Sequence, residues 1–268
     1  MTLEVNHLVK HFDGVQAVKG VSFSVAAGEC VALIGPNGAG KSTTFACIAG
    51  QHALTGGQVR WHGERVDTLA PTQRLQRGIA RTFQVAQTFD ALTVLQNLQL
   101  LAQYPRGLQA YNVLDQADTA QAMALLEQVG LAAQAHAEAR DLPYGAKKRL
   151  ELAIALMGLG SKPLQTPAPQ LLLLDEPAAG LSAVERAALM QLVRTLVQGR
   201  GIAVLYTEHN MDAVFGVADR VLVLIDGLLA AQGSAQEIAR DATVRSRYLG
   251  TAFAAPSVSS APSLADHA

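Results

Sequence analysis

The chain has 268 residues, with 21 Lys and Arg against 22 Asp and Glu for a formal net charge of −1, and 50% of its residues are hydrophobic. That balance gives no overall basic footprint for nucleic acid, and two cysteines are too few for a disulfide framework. A mean hydropathy of +0.20 implies extensive burial or a membrane-bound partner, yet the longest apolar runs, LLLL at 171–174 and VLVLI at 221–225, fall far short of the ~20 residues of a spanning helix.

The opening MTLEVNHLVKHF sets acidic and polar residues where a signal peptide would be apolar, and reads as the start of a cytoplasmic protein. LEVNHLV, VSFSV and ECVALIG follow as short strands separated by glycine-containing turns, then GKSTTFACIAG as a helix ending near Gly50, and QVRWHGERV at 58–66 as a small hairpin. From about Leu92 to Leu159 the apolar spacing becomes helical, as in TVLQNLQLLAQ, TAQAMALLEQVG and KRLELAIALMGLG. The Pro-rich SKPLQTPAPQ at 161–170 reads as a surface loop. LLLLD, IAVLYTEH and RVLVLI read as buried strands, the first two separated by the helical AVERAALMQLVRTLVQ, and this alternation predicts a mainly parallel sheet with helices packed on it. Small and polar residues from about Ala252 read as a disordered tail. Cys30 and Cys47 lie in apolar surroundings and read as buried reduced thiols.

One motif fixes the chemistry. GPNGAGKS at 35–42 matches GxxxxGK[ST] between an apolar strand and a helix. In such a loop the glycines let backbone N–H groups wrap a polyphosphate, and the helix N-terminus adds partial positive charge. Lys41 supplies a point charge to the outer phosphates and Ser42 a hydroxyl for Mg²⁺. A second half-site belongs at a strand end, and LLLLDEP supplies it: Asp175 to hold Mg²⁺ and Glu176 to polarise an attacking water as general base. The two together point to hydrolysis of ATP or GTP.

From Leu3 to about Gly250 the chain resembles the ATP-binding subunits of ABC transporters, and the resemblance implies ATP and Mg²⁺ as cofactors. It implies an α/β fold: a P-loop ATPase core with a mainly parallel sheet, an added antiparallel β portion and a helical lobe. Residues 1–90 and 161–250 would form the catalytic core with its β portion, about 91–160 the helical lobe with the signature loop, and 251–268 the tail. Carried onto this chain, the nucleotide set is Phe12, as the adenine-stacking aromatic, with Gly35, Pro36, Asn37, Gly38, Ala39, Gly40, Lys41, Ser42 and Thr43. Gln84 in RTFQ corresponds to the loop glutamine that senses Mg²⁺ and the membrane partner, and His209 in YTEH to the switch histidine near the γ-phosphate. The metal set is Ser42, Gln84 and Asp175, and the catalytic set Glu176, His209, Gln84 and Lys41. GIARTFQ, TVLQNLQL, EHNMDAVFGVADRVLVLIDG and VRSRYLG sharpen the resemblance to the branched-chain amino-acid uptake group. Subunits for urea, amide or aromatic-acid uptake and for lipopolysaccharide export share parts of this pattern; a soluble ABC ATPase would instead show tandem domains, a coiled coil or a basic face. The implied partners are a second ATPase subunit, in a hetero- or homodimer, integral-membrane permease subunits and, indirectly, a solute-binding protein, with no nucleic acid, on the cytoplasmic face of the inner membrane.

Two positions depart from the family pattern. The signature loop, usually LSGGQ or LSYGQ, is here LPYGA, so Pro143 has replaced the serine whose hydroxyl would reach ATP on the partner subunit. Leu142, Tyr144, Gly145 and Ala146 remain to meet that nucleotide. Ser182 stands where the family commonly has aspartate. A hydrogen bond lost to a charged group costs about 1.5–3 kcal/mol, so LPYGA is either a weakened half-site lent to a different partner or a neutral variant.

Overall fold

A strand buried on both faces sends alternate side chains into two different cores, and the apolar runs here do so. A computed structural model describes residues 3–82, 87–103, 116–160 and 170–250. The chain opens with β1 (Leu3–Phe12), β2 (Val15–Val25) and β3 (Cys30–Ile34), then helix α1 (Lys41–Ala49), β4 (Gly56–Trp61), β5 (Glu64–Arg65), α2 (Pro71–Gln76) and β6 (Ile79–Arg81). Three longer helices follow, α3 (Val94–Gln103), α4 (Gln116–Gln128) and α5 (Tyr144–Gly160). The remainder alternates β7 (Leu171–Asp175), α6 (Ala183–Arg200), β8 (Ala203–Thr207), α7 (Met211–Phe215), β9 (Arg220–Ile225), β10 (Leu228–Gly233), α8 (Ala235–Arg240), α9 (Ala242–Val244) and a last turn at Arg245–Leu249.

Two sheets result. The larger runs β10-β9-β3-β8-β7-β6, parallel except for the antiparallel edge strand β10, and the smaller is the antiparallel β2-β1-β4-β5. Val31, Leu33, Leu171, Leu173 and Leu205 point to one side of the larger sheet, where they bury Phe45 and Ile48 of α1 beneath Leu3, Val5 and Leu8 of the smaller sheet. Their neighbours Ala32, Ile34, Leu172, Leu174 and Val204 point to the other side, into a cluster with Leu98 of α3, Leu126 of α4, Leu150 of α5 and Val193 of α6. This cluster passes from the sheet into the three helices of the 94–160 region without a break. No helix among the described residues is long and apolar enough to cross a membrane.

The strands and helices read from the sequence are present, together with the mainly parallel sheet and the antiparallel portion. Helix α1 ends where expected, at Gly50 in the left-handed region with φ 86°. The three-residue strand β6 and the helices α2 and α7 to α9 escape a periodicity reading because each is too short for a period to repeat. Cys30 and Cys47 are fully buried free thiols, and burial pushes them up to about 12 and about 11. The segment 161–169 and the tail 251–268 lie outside the described residues.

Arg74 of α2 is the largest fully buried side chain among the described residues. Its guanidinium donates to the carbonyls of Cys47 and Ile48 at the end of α1, to Asp67 O at 2.9 Å and to Leu69 O at 3.0 Å. The last carbonyls of a helix need partners and carry partial negative charge, so this cation anchors α1 from behind. Arg74→Met leaves those buried acceptors unsatisfied and is expected to lower stability by about 2–5 kcal/mol. Urea unfolding followed by circular dichroism measures the loss; a change inside experimental error would contradict the anchoring role.

Candidate functional site

The register of the parallel strands decides what meets at the sheet edge. Leu33 of β3 pairs with Thr207 of β8, and Thr207 pairs with Asp175 of β7, so the three strands end level with one another. The loop Gly35–Gly40 leaves β3 at this edge and turns directly into α1, with Asn37 and Gly38 exposed at its crown. Two glycines are required by close packing. A Cβ on Gly35, whose φ is 145°, would sit 2.0 Å from Leu224 O, and one on Gly40, with φ 96°, would sit 2.5 Å from Ala17 O.

Lys41 is 6% exposed and folds back over this loop, donating from Nζ to Gly35 O at 2.7 Å and Pro36 O at 2.9 Å. Burial lowers its pKa, opposed by the nearby negative charges of Glu176 and Asp175. Two of the ammonium's three donors thus rest on carbonyls that a phosphate oxygen can outcompete, because an anion is the stronger acceptor. Ser42 is exposed on the first turn of α1, and Thr43 is half-buried beside it. The first turn carries no acidic residue, so the helix end keeps its attraction for anions.

Opposite the loop, Thr207 ties the two acids together. Its hydroxyl donates to Asp175 Oδ1 at 2.9 Å and accepts from the Glu176 backbone N–H at 2.9 Å. Asp175 Oδ2 receives the Arg81 guanidinium at 2.6 Å. Glu176 has φ 47°, a left-handed conformation that non-glycine residues seldom adopt and that functional sites often retain. Its carboxylate Oε1 lies 2.7 Å from His209 Nε2. Glu208, 4% exposed, accepts from the Ala178 and His209 backbone N–H groups at 3.0 and 3.1 Å, which binds the segment after β7 to the end of β8.

Of the residues expected from the sequence, Gly35–Ser42, Asp175, Glu176 and His209 converge on this edge. Phe12 ends β1 with 39% of its surface exposed, its ring edge-on to His52 at 5.2 Å and beneath Lys10 Nζ at 4.5 Å, a presentation suited to stacking a base. Gln84 falls outside the described residues. Leu142, Tyr144, Gly145 and Ala146 lie at the start of α5, where Pro143 O accepts from Ala146 and Lys147 at 2.9 and 3.0 Å. Ser182 caps α6: its hydroxyl accepts from Glu185 N and donates to Glu185 Oε2 at 2.6 Å. The sequence reading missed Thr207, Glu208 and Arg81, although TEH and RTFQ contained them.

The donors at the edge are backbone amides, a lysine, a hydroxyl and carboxylates, which suits a polyphosphate with a hard divalent cation. Among the described residues no three His, Cys, Asp or Glu converge on a metal site. A cation held by Ser42 and Asp175 would draw its other ligands from phosphate and water.

Comparison with known proteins bears on this geometry. Residues 18–179 match the family model described as ABC transporter. The chain is 36% identical over 260 residues to the high-affinity branched-chain amino acid transport ATP-binding protein LivG of Salmonella typhimurium, covering 93% of this chain and 98% of that one. It is 35% identical to the BraF protein of Pseudomonas aeruginosa, of the same description, with the same coverage. Among solved structures it is similar to an ATP-binding cassette of an ABC transporter in its ADP conformation, with a TM-score of 0.80 and 29% identity over 93% of this chain and 98% of that one.

With Glu176 poised beside His209, Glu176→Gln is expected to lower ATP hydrolysis by about 10²- to 10⁴-fold, the usual contribution of a general base, while leaving ATP affinity within a few-fold of wild type. A phosphate-release assay paired with ATP titration separates the two quantities, and equal hydrolysis rates in both proteins would remove Glu176 from the chemistry.

Proposed function

As the chain belongs to the ABC transporter family of ATP-binding proteins, we propose that it hydrolyses ATP at this sheet edge and so drives a separate membrane permease that imports branched-chain amino acids or a related small solute. The observation that carries the chemical part is the pairing of Glu176, held at φ 47°, with His209 at 2.7 Å, beside the loop that carries Lys41. Phe12 stacks the adenine, the amides of Gly35–Thr43 cradle the phosphates, and Lys41 leaves its carbonyls for the outer phosphates. Glu176 orients and deprotonates the attacking water, and His209 holds that carboxylate and senses the γ-phosphate. Ser42, Asp175 and Gln84 would hold Mg²⁺, which when bound supplies neutralisation of charge on the phosphate oxygens.

The permease docks on the helical side. An apolar groove lined by Leu75, Ile79, Leu101, Ile154 and Gly158 opens between α2, β6, α3 and α5, with Arg81 and Glu151 as charged groups in its wall. A groove of this kind receives an apolar helix face. The substrate reading rests on the LivG and BraF likeness.

The partner ATPase subunit is a different chain, which supplies its own signature loop to this site and receives a weaker one in return. Pro143 and Ser182, the two departures from the family pattern, belong to one surface. A Cβ on Gly145 would lie 2.8 Å from Glu185 Oε1, the carboxylate that Ser182 caps, and one on Gly180 would lie 3.0 Å from the Tyr144 ring. Pro143→Ser adds one hydroxyl at the head of α5 without disturbing that surface, since serine is a favoured residue before a helix.

Reconstitution with the permease subunits and second ATPase of a branched-chain amino-acid transporter tests this reading. Uptake of labelled leucine that requires ATP and stops with Glu176→Gln is expected; ATP-driven uptake of another solute alone would overturn the branched-chain reading. In the same assembly Pro143→Ser should raise turnover about tenfold, the worth of one charge-assisted hydrogen bond. An unchanged rate would make LPYGA a neutral variant.

A further inference from the structure

Asp175, the carboxylate read above as the metal-side acid, already has a cation. Arg81 Nη2 lies 2.6 Å from its Oδ2, and both side chains are largely withdrawn from water, at 13% and 11% exposure. The other oxygen, Oδ1, accepts from Thr207. Both carboxylate oxygens are therefore engaged by side chains of the protein itself.

The position of Arg81 ties this pair to two other elements. Arg81 ends β6, in register with Leu173 of β7, so its backbone lies one strand from the carboxylate it holds. Its other terminal nitrogen donates to the Gln51 side chain, just beyond the end of the phosphate-loop helix α1. Arg81 also lines the apolar groove between α2, β6, α3 and α5, whose wall contains Glu151, an acid that is 5% exposed and 3.5 Å from Lys148 Nζ. Arg81 thus reaches a carboxylate at the sheet edge, the tail of α1 and a cavity where a second acid stands.

A guanidinium and Mg²⁺ cannot both take full advantage of the same carboxylate, because each neutralises the charge that attracts the other. We propose that Arg81 is a positioning residue that holds Asp175 while the site lacks metal and competes with Mg²⁺ for it, so that loading the site hands the carboxylate from guanidinium to metal. The contact removes the cost of an uncompensated acid in a part-buried strand end. It also keeps Asp175 in the rotamer that meets Thr207, so the metal arrives at a preset oxygen. Arg81, freed from Asp175, would leave its charge in the wall of the groove it already lines, which links the site to the surface read above as the permease dock. The inference rests on Asp175 as the metal-side acid, and the experiment separates failure of that premise from failure of the proposal.

The measurement uses the full chain with ADP as nucleotide, titrated calorimetrically in EDTA and across a range of Mg²⁺ concentrations, for wild type, Arg81→Gln, Arg81→Lys and Asp175→Asn. A hydrogen bond to a charged group is worth about tenfold or more in an equilibrium constant. The half-saturating Mg²⁺ concentration for tighter ADP binding should accordingly fall about tenfold in Arg81→Gln. Arg81→Lys, which keeps the charge but loses the fork, should fall less, and it carries the test if Arg81→Gln does not fold. ADP affinity in EDTA should not rise in either variant, since Arg81→Gln leaves more negative charge near the phosphates and Arg81→Lys leaves the charge unchanged. The melting temperature of Arg81→Gln should drop in EDTA and recover with Mg·ADP. An unchanged or raised Mg²⁺ midpoint, or a melting deficit equal in both conditions, would make Arg81 a fixed strut and overturn the proposal. A magnesium response that survives in Asp175→Asn would instead overturn the premise about Asp175.

Discussion

Everything at this site depends on parallel strands buried on both faces and ending in register. Because Val31 and Leu33 face one core while Ala32 and Ile34 face the other, β3 has no freedom to slide: a one-residue slip would exchange the two faces. The same constraint acts on β7 and β8, and it fixes Leu33, Asp175 and Thr207 side by side at the carboxyl ends of their strands. Ligands of open parallel sheets bind outside those ends, where loops leave a rigid edge. The apolar core is thus also the instrument that sets the spacing between the phosphate loop and the acid pair.

On that edge a few polar contacts divide the labour. Thr207 accepts from the Glu176 backbone and donates to Asp175, so one hydroxyl holds two consecutive acids, the second with a strained backbone. The left-handed turn at Glu176 directs its carboxylate to His209 instead of continuing the strand. Such conformations cost on the order of 1–3 kcal/mol and persist where the surroundings over-determine them; Glu208, which ties the Ala178 and His209 backbones together, is part of that surrounding. Lys41 illustrates the complementary device. Its charge is lodged on two carbonyls of its own loop, where burial lowers its pKa, and a phosphate offers it a better partner.

The strand ends that carry the candidate site were legible in the sequence because their motifs are local. GPNGAGKS, LLLLDE and YTEH each mark a strand end followed by reactive residues, and periodicity identifies the strands that carry them. Long-range pairing was not legible. Arg81 meets Asp175 across 94 positions, and Thr207 meets Asp175 across 32, and no composition or spacing signals either contact. Arg74 was hidden for a similar reason: an arginine in a polar run reads as solvated, and only the ends of α1 and α2 folding together turn it into a buried anchor. Ser182 was read as standing where the family commonly has aspartate, and its contacts are those of a helix cap, a role open to either residue.

The most direct test of the account is the affinity of purified chain for ATP when Lys41 is replaced by methionine, a change that keeps the stem and removes the charge. Calorimetric titration, with circular dichroism to verify the fold, should give a loss of about ten- to a hundredfold or more, the worth of one or more charge-assisted hydrogen bonds. An affinity equal to that of wild type in a folded Lys41→Met protein would mean that the triphosphate is not held by the loop between β3 and α1.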